Sequence, residues 1–241
     1  MNRSFLTILS TLLVTSISLL PFTAQAEEIP LEADNWEEQK KEGNITIYTR
    51  PHPNSSFEAF KAVAVLDAPL NNVMAVMANP LSCIEWVHGC TVSYGFDVNS
   101  FNDRYAYSVN DMPWPFKDRD YVLHIKTTNK PESNKILMHM NASADKKEVS
   151  DDYLRVSVAQ TVYILEAFDD NKTKMVWLQH TEPGGVLPGW LVNNLIVDIP
   201  IKSLQALEQV AQEEKYQDAH ITFDKNGIIQ GVDSKLTPQG K

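Results

Sequence analysis

Between Thr91 and Thr181 the chain alternates apolar and polar residues at a period of two through six successive segments. They run Thr91 to Phe96, Arg104 to Asn110, Tyr121 to Thr128, Lys135 to Ala144, Leu154 to Phe168 and Lys174 to Thr181. This alternation predicts strands with one buried face. The separators VNSFND, DMPWPFKD, NKPESN, DKKEVSDD and DDNKT suit hairpins or modest loops and leave no room for a crossover helix. A parallel, doubly wound sheet needs such crossovers, so the expected fold class is α+β with one meandering antiparallel sheet.

The flanks complete the architecture. Leu31 to Glu42 carries charged helix formers and is closed by Gly43-Asn44, which predicts a short first helix. Ile45 to Thr49 and Phe57 to Leu66 read as two strands separated by RPHPNSS. Asp67 is placed to cap a helix opened by Pro69, with Val73, Val76 and Met77 on one face and Asn79-Pro80 at its end; a helical turn from Leu81 to Val87 follows. After the sheet, HTEPGGVLPGWLVNNLIVDIP leads into a long helix with Leu204, Leu207, Val210 and Ala211 on one side. Gly184 and Gly185 permit unusual backbone angles, Pro188 suits a helix start, and Pro200 is expected to interrupt or kink the helix about three turns later. Trp190 to Ile199 then reads as a short apolar piece hinged at both ends.

Residues 1–26 combine Arg3, an apolar stretch from Phe5 to Leu20 and Ala24-Gln25-Ala26, a pattern expected of a cleaved signal peptide. Interruption by Thr7, Ser10, Thr11, Thr15, Ser16 and Ser18 disfavours a retained anchor. The expected location is periplasmic or secreted. Sequons at Asn44, Asn54, Asn141 and Asn171 leave a eukaryotic secretory route open. In an oxidising compartment Cys83 and Cys90, separated by IEWVHG, are expected to form a disulfide, with two buried free thiols as the alternative. The formal charge of −10 argues against nucleic acid and against lasting residence on anionic lipid. Transient membrane contact through local lysine clusters, such as Lys146 and Lys147, stays compatible with it. A monomer is expected.

The sequence holds no G-x-S-x-G, H-E-x-x-H, Walker loop or paired Cys/His spacing, so neither a catalytic motif nor a metal site is expected. The order of elements, with DAPLNNVMAVMANPLSCIEWVHGC, PWPFKDRDYV and EPGGVLPGWLVN, resembles the START family of lipid-transfer domains within the helix-grip superfamily. The likeness runs from about Trp36 to Lys215. It implies a curved antiparallel sheet wrapped around a long C-terminal helix, with an internal hydrophobic cavity that holds one lipid or similar molecule and needs no cofactor. It also implies that the loop around Met112, Trp114 and Phe116 and the start of the final helix form a gate. The domain is expected over 27–218, followed by an extension over 219–241 in which HITFDKNGIIQGV suggests a hairpin.

A sheet this extensive cannot be covered by one helix, so side chains or a ligand must fill the space between. Expected to line it are Tyr105, Tyr107, Met138, Met140, Tyr163, Met175 and Trp177, which are large, polarisable and alternately placed. Met112, Trp114, Phe116, Trp190, Leu191, Asn194 and Leu195 stand at the gate, where Trp114 and Trp190 serve either as gate residues or as core plugs. His124, Arg155, Gln160 and Gln179 are polar residues in apolar strands that can orient a ligand, although Arg155 fits equally a pairing with Glu58 or an acidic loop. The expected function is a carrier of one hydrophobic molecule. The alternative is a cavity enzyme of cyclase or hydrolase type, with His124 and Arg155 as its acid/base pair.

Overall fold

The computed structural model describes residues 35–53 and 55–236, apart from the side chains of Trp190 and Asn194. The expected signal peptide and the sequon at Asn54 lie outside the described residues. Three N-terminal strands, β1 (Glu37–Glu42), β2 (Ile45–Arg50) and β3 (Ala59–Leu66), precede the helices α1 (Leu70–Ala78) and α2 (Cys83–Trp86). The alternating region forms β4 (Cys90–Ser100), β5 (Asp103–Asn110), β6 (Arg119–Lys130), β7 (Lys135–Ala142), β8 (Leu154–Arg155), β9 (Val158–Asp169) and β10 (Lys172–Glu182). Helix α3 (Gly189–Val210) and the hairpin β11 (His220–Phe223) and β12 (Ile229–Asp233) follow. The main sheet has the order β1-β2-β3-β10-β9-β7-β6-β5-β4.

The meander therefore forms as expected, and the N-terminal strands extend it where β3 pairs with β10, Ala62 opposite Trp177. Two expectations about the strands fail. Glu37 to Glu42 is an edge strand paired with β2, not the end of a helix. Gly43, in the left-handed region at φ 57°, sits in the turn that brings Glu42 opposite Ile45. Tertiary pairing overrides the helix propensity of EEQKKE, and its exposed charges suit an edge that must not recruit another strand. The segment Leu154 to Phe168 is likewise not one strand. Strand β7 leaves the side of β6 at Ala142, opposite Leu123, and the vacated edge is taken by Leu154 and Arg155, which run parallel to Arg119 and Asp120.

Helix α1 begins after Pro69 without a side-chain cap. Asp67 instead pairs with Lys172 at 2.7 Å, and its backbone N–H donates to Glu208 at 2.8 Å. Helix α3 continues through Pro200, so the hinge expected there is not a break in the helix. Its Ile201, Leu204, Leu207 and Val210, with Ala211 just past its end, pack into the main core with Ile47, Ala62, Leu165 and Met175 from the inner face of the sheet. The terminal hairpin is part of this same core: Ile229 and Val232 are buried in it, and Asn129 brackets the turn by accepting from Ile229 N–H (2.9 Å) and donating to the Gly227 carbonyl (2.8 Å). No described helix is long and apolar enough to cross a membrane.

Candidate functional site

Strand alternation assigns each sheet residue to the inner face, toward α3, or to the outer face. On the inner face the packing is incomplete, leaving a cavity of about 220 Å³. Small residues of β5, Ala106 and Ser108, make the space, and Tyr121, Leu123 and Ile125 of β6 continue the wall. Met138 and Met140, Thr161 and Tyr163, and Trp177 and Gln179 complete the sheet side. Trp86 of α2, Met112 and Ile199 of α3 close it. Trp86, Tyr163 and Trp177 meet one another at ring-centroid distances of 5.3 to 6.2 Å, an inclined aromatic cluster that fixes one wall. The disulfide between Cys83 and Cys90 ties α2 to the start of β4 and holds Trp86 in place.

The polar groups of the cavity divide into engaged and unengaged. Gln179 Oε1 accepts from Trp177 Nε1 at 3.1 Å and from Thr161 Oγ1 at 3.2 Å, and its Nε2 donates to Thr181 Oγ1 at 3.2 Å. Tyr163 is 5% exposed, and among the described residues neither its hydroxyl nor that of Tyr121 has a hydrogen-bond partner. Burial pushes the Tyr121 phenol up to about 12, opposed by Arg119, and pushes Tyr163 up as well, so both are neutral donors. No lysine or arginine lines the cavity among the described residues.

Of the residues expected at the site, Met112, Met138, Met140, Tyr163, Trp177 and Gln179 come together around this space, while Met175 lies on the same face in the solid core. Tyr105, Tyr107 and His124 do not line it. They alternate with Ala106, Ser108 and Leu123 and so face outward. That outer face is an interior of its own, because the chain between β7 and β8 lies across it, placing Lys146 over Tyr105 (5.0 Å) and Lys147 over Tyr107 (5.4 Å). His124 stacks on Tyr105 at 4.5 Å and bonds Asp103 at 2.7 Å. Arg155 is also structural: it pairs with buried Asp120 at 2.8 Å and donates to the carbonyls of Ala144, Lys147 and Glu148. The expected acid/base pair therefore sits across the sheet from the cavity. Gln160 shares the outer face by alternation with Thr161. Trp114 is 92% exposed, contrary to a lining or plugging role. Phe116, Leu191 and Leu195 are half-buried and do not line the cavity, and the side chains of Trp190 and Asn194 lie outside what is described.

Sequence reasoning missed Trp86, Tyr121 and the small pair Ala106 and Ser108. The alternation of Tyr121, Leu123 and Ile125 carried a usable signal, since cross-strand pairing puts Ser108 and Ala106 opposite Tyr121 and Leu123. It also missed Arg119. This buried guanidinium donates from Nε to the Pro183 carbonyl at 3.1 Å, from Nη2 to the Gly184 carbonyl at 3.0 Å and from Nη1 to the Lys117 carbonyl. It thereby ties the loop carrying Met112 and Trp114 to the turn before α3. Gly184 and Gly185 adopt φ 68° and 70° there, with added Cβ atoms 3.2 and 3.3 Å from Leu154 Cδ2, so both conformation and space call for glycine. On the far side of that turn, Asn193 Oδ1 accepts from Glu58 N–H at 3.3 Å, and His52 stacks on His180 at 3.6 Å.

Among the described residues no group of three or more His, Cys, Asp or Glu is placed to hold a metal ion. The chain is 27% identical over 181 residues to an uncharacterized protein of Pseudomonas aeruginosa, covering 75% of this chain and 89% of that protein. Its fold is similar to a STAR-related lipid transfer protein fragment from Xanthomonas axonopodis, with TM-score 0.67, 24% identity, and 75% of this chain and all of that one covered. It is also similar to human StAR-related lipid transfer protein 5, with TM-score 0.66, 13% identity, and 76% and 88% covered. Residues 23–215 match the START domain model. With an antiparallel sheet gripping a long C-terminal helix around an internal cavity, and that match spanning most of its length, the chain belongs to the START domain family.

Proposed function

We propose that this protein is an exported carrier that takes one hydrophobic molecule into the inner-face cavity, shields it from water and releases it at a membrane. The observation that carries the reading is the cavity itself: about 220 Å³ walled by Trp86, Tyr163, Trp177, Met138 and Met140 in a chain of the START family. Empty space of that size beside apolar side chains is costly unless something fills it. The names of the solved relatives, lipid transfer proteins, support a lipid-like occupant. A carrier is favoured over a cavity enzyme because His124 and Arg155 lie on the other face and the polar cavity groups, apart from His88 and Asp111, are hydroxyls and amides.

Export is supported by the sequence of residues 1–26 and by the Cys83–Cys90 disulfide, which suits an oxidising compartment. Membrane contact is supported by Trp114 and Val186, 92% and 96% exposed, on two segments linked through Arg119. An indole at a membrane–water interface sits at headgroup level. The turn at Gly184-Gly185 with the start of α3 serves as the gate. The test is native mass spectrometry of protein purified from its own host, followed by extraction. A one-to-one complex with an unmodified apolar molecule is expected. Protein that is always empty and takes up no lipid from zwitterionic vesicles, or that chemically alters what it binds, overturns the carrier reading.

A further inference from the structure

A cavity can be hydrophobic and still select by charge, because burying an ion without a counter-ion costs far more than burying a neutral oxygen that finds a hydrogen bond. The relevant groups here are unevenly distributed. Arg50 lies over the Trp36 ring on the outer face, its Nε and Nη1 without a hydrogen-bond partner among the described residues, and two other arginines near the sheet are fully engaged elsewhere. Arg119 is held by three carbonyls, and Arg155 by Asp120 and three carbonyls. Arg104 alternates with Ala106 on the inner face but does not line the cavity. Its guanidinium lies over the Phe101 ring at 4.8 Å and donates from Nη1 to the Phe101 carbonyl and to Thr127 Oγ1, while Nη2 is sealed from solvent without a hydrogen-bond partner among the described residues. At the rim, Asp111 adds a carboxylate and His88 an imidazole, and among the described residues the exposed Lys202 reaches only that imidazole, at 3.5 Å.

Against this, half-buried Tyr121 and buried Tyr163 present hydroxyls to a mainly apolar space with no hydrogen-bond partner among the described residues, so both are open to a molecule that enters it. Gln179 does not satisfy them, since both acceptor positions of its Oε1 are taken by Trp177 and Thr161. The geometry points to a compact neutral amphiphile as the occupant, one apolar chain or ring carrying an uncharged oxygen function (ester, ketone or alcohol) that hydrogen-bonds to Tyr121 and Tyr163. The inference rests on the carrier reading and names the ligand class for the same cavity. It sets free fatty carboxylates and phosphate headgroups aside as deep occupants. The cavity volume agrees, lying below the roughly 300 to 1,000 Å³ of pockets that enclose drug-sized ligands, and so favouring a short or single-chain molecule over a two-chain lipid.

The test titrates the full mature chain at pH 8 with decan-1-ol, methyl nonanoate, decanoate and decane. Binding is read from Trp86 and Trp177 fluorescence and confirmed by native mass spectrometry. The alcohol and ester are expected to bind about ten-fold or more tightly than decanoate. Tyr163→Phe and Tyr121→Phe each weaken ester and alcohol binding about 3- to 10-fold and leave decane unchanged. Because each substitution removes an unpartnered oxygen, both variants melt at or above the wild-type temperature, which separates a binding effect from misfolding. Decanoate binding as tightly as the ester, with loss on Arg104→Met, overturns the inference in favour of an anionic ligand. Unchanged ester affinity in both tyrosine variants overturns it as well. Failure of all four probes, decane included, is a different result: it removes the carrier reading and the ligand class together.

Discussion

On the outer face of β6, Asp120 meets Arg155 at 2.8 Å and His124 meets Asp103 at 2.7 Å; on the inner face, the Tyr121 hydroxyl has no hydrogen-bond partner among the described residues. The two faces belong to the same strands and differ in what covers them. The outer face is closed by a loop of this chain, folded down by the carbonyls that Arg155 gathers. The inner face is closed only in part, by the three helices and the terminal hairpin. A face whose cover is covalently part of the chain can satisfy its polar groups permanently. On the proposed reading the inner-face hydroxyls are kept for a separate molecule, whereas the outer-face groups hold the chain's own loop in place, with Asp120 Oδ1 left over beside the ion pair.

The largest effect expected of this contrast is on the outer face. Arg155→Ala leaves Asp120 as an uncompensated buried charge and should destabilise the protein by about 3 to 5 kcal/mol. Denaturant unfolding measures it, and where the variant still folds, ligand affinity should stay within two-fold or so. A strong affinity loss in folded protein would break the division between faces. Arg119→Ala comes next, at about 2 to 3 kcal/mol, because the carbonyls of Pro183 and Gly184 lose a charged donor. Stopped-flow exchange should show faster ligand release from this variant, since the clamp on the turn before α3 is gone. Release at the wild-type rate would detach that turn from gating.

A smaller effect follows from His180, which is held neutral by burial first and by its stacked neighbour His52 second, with Glu182 opposing; its pKa is lowered to about 4. Since the folded value lies below the ordinary value of about 6.5, the stability this group confers is complete above pH 6.5 and is lost as pH falls toward 4, where the unfolded chain takes up the proton first. Thermal melts of wild type should therefore lose more than those of His180→Gln across that window, and parallel curves would contradict it. The smallest stability effect belongs to the inner face. Ala106→Leu projects into existing space and should change stability by less than about 1 kcal/mol while lowering ligand affinity ten-fold or more. Destabilisation above 2 kcal/mol with unchanged binding would mean that the space is not the ligand site.

Much of the fold could be read from local pattern. Period-two alternation identified the strands of the meander, the spacing of Leu204, Leu207 and Val210 identified the buried side of α3, and Asn226-Gly227 marked the terminal hairpin. At the site, Met138, Met140, Tyr163, Trp177 and Gln179 were legible because their strands place bulky residues inward. In β5 the same reasoning failed, because size and burial there do not coincide with the inner face. Tyr107 is 6% exposed on the outer side and Ser108 is 8% exposed on the inner side, so both alternate sets are buried and periodicity cannot rank them.

What the sequence determined by itself were features set by neighbours along the chain: alternation, turn residues, the apolar stripe of α3 and the family motifs. What the tertiary structure decided was every feature set by residues far apart. Glu37 to Glu42 became a strand because β2 offered an edge, and Arg119 became a clamp because the Pro183 and Gly184 carbonyls arrive 64 and 65 positions later. Tyr121 faces an empty space because Ala106 and Ser108 stand beside it, and Tyr107 is sealed because Lys147 and Tyr153 fold over it. The physical reason is the same in each case. An alternating strand specifies that successive side chains point to opposite sides, and only the elements packed against those sides determine which becomes core, which becomes cavity and which meets water.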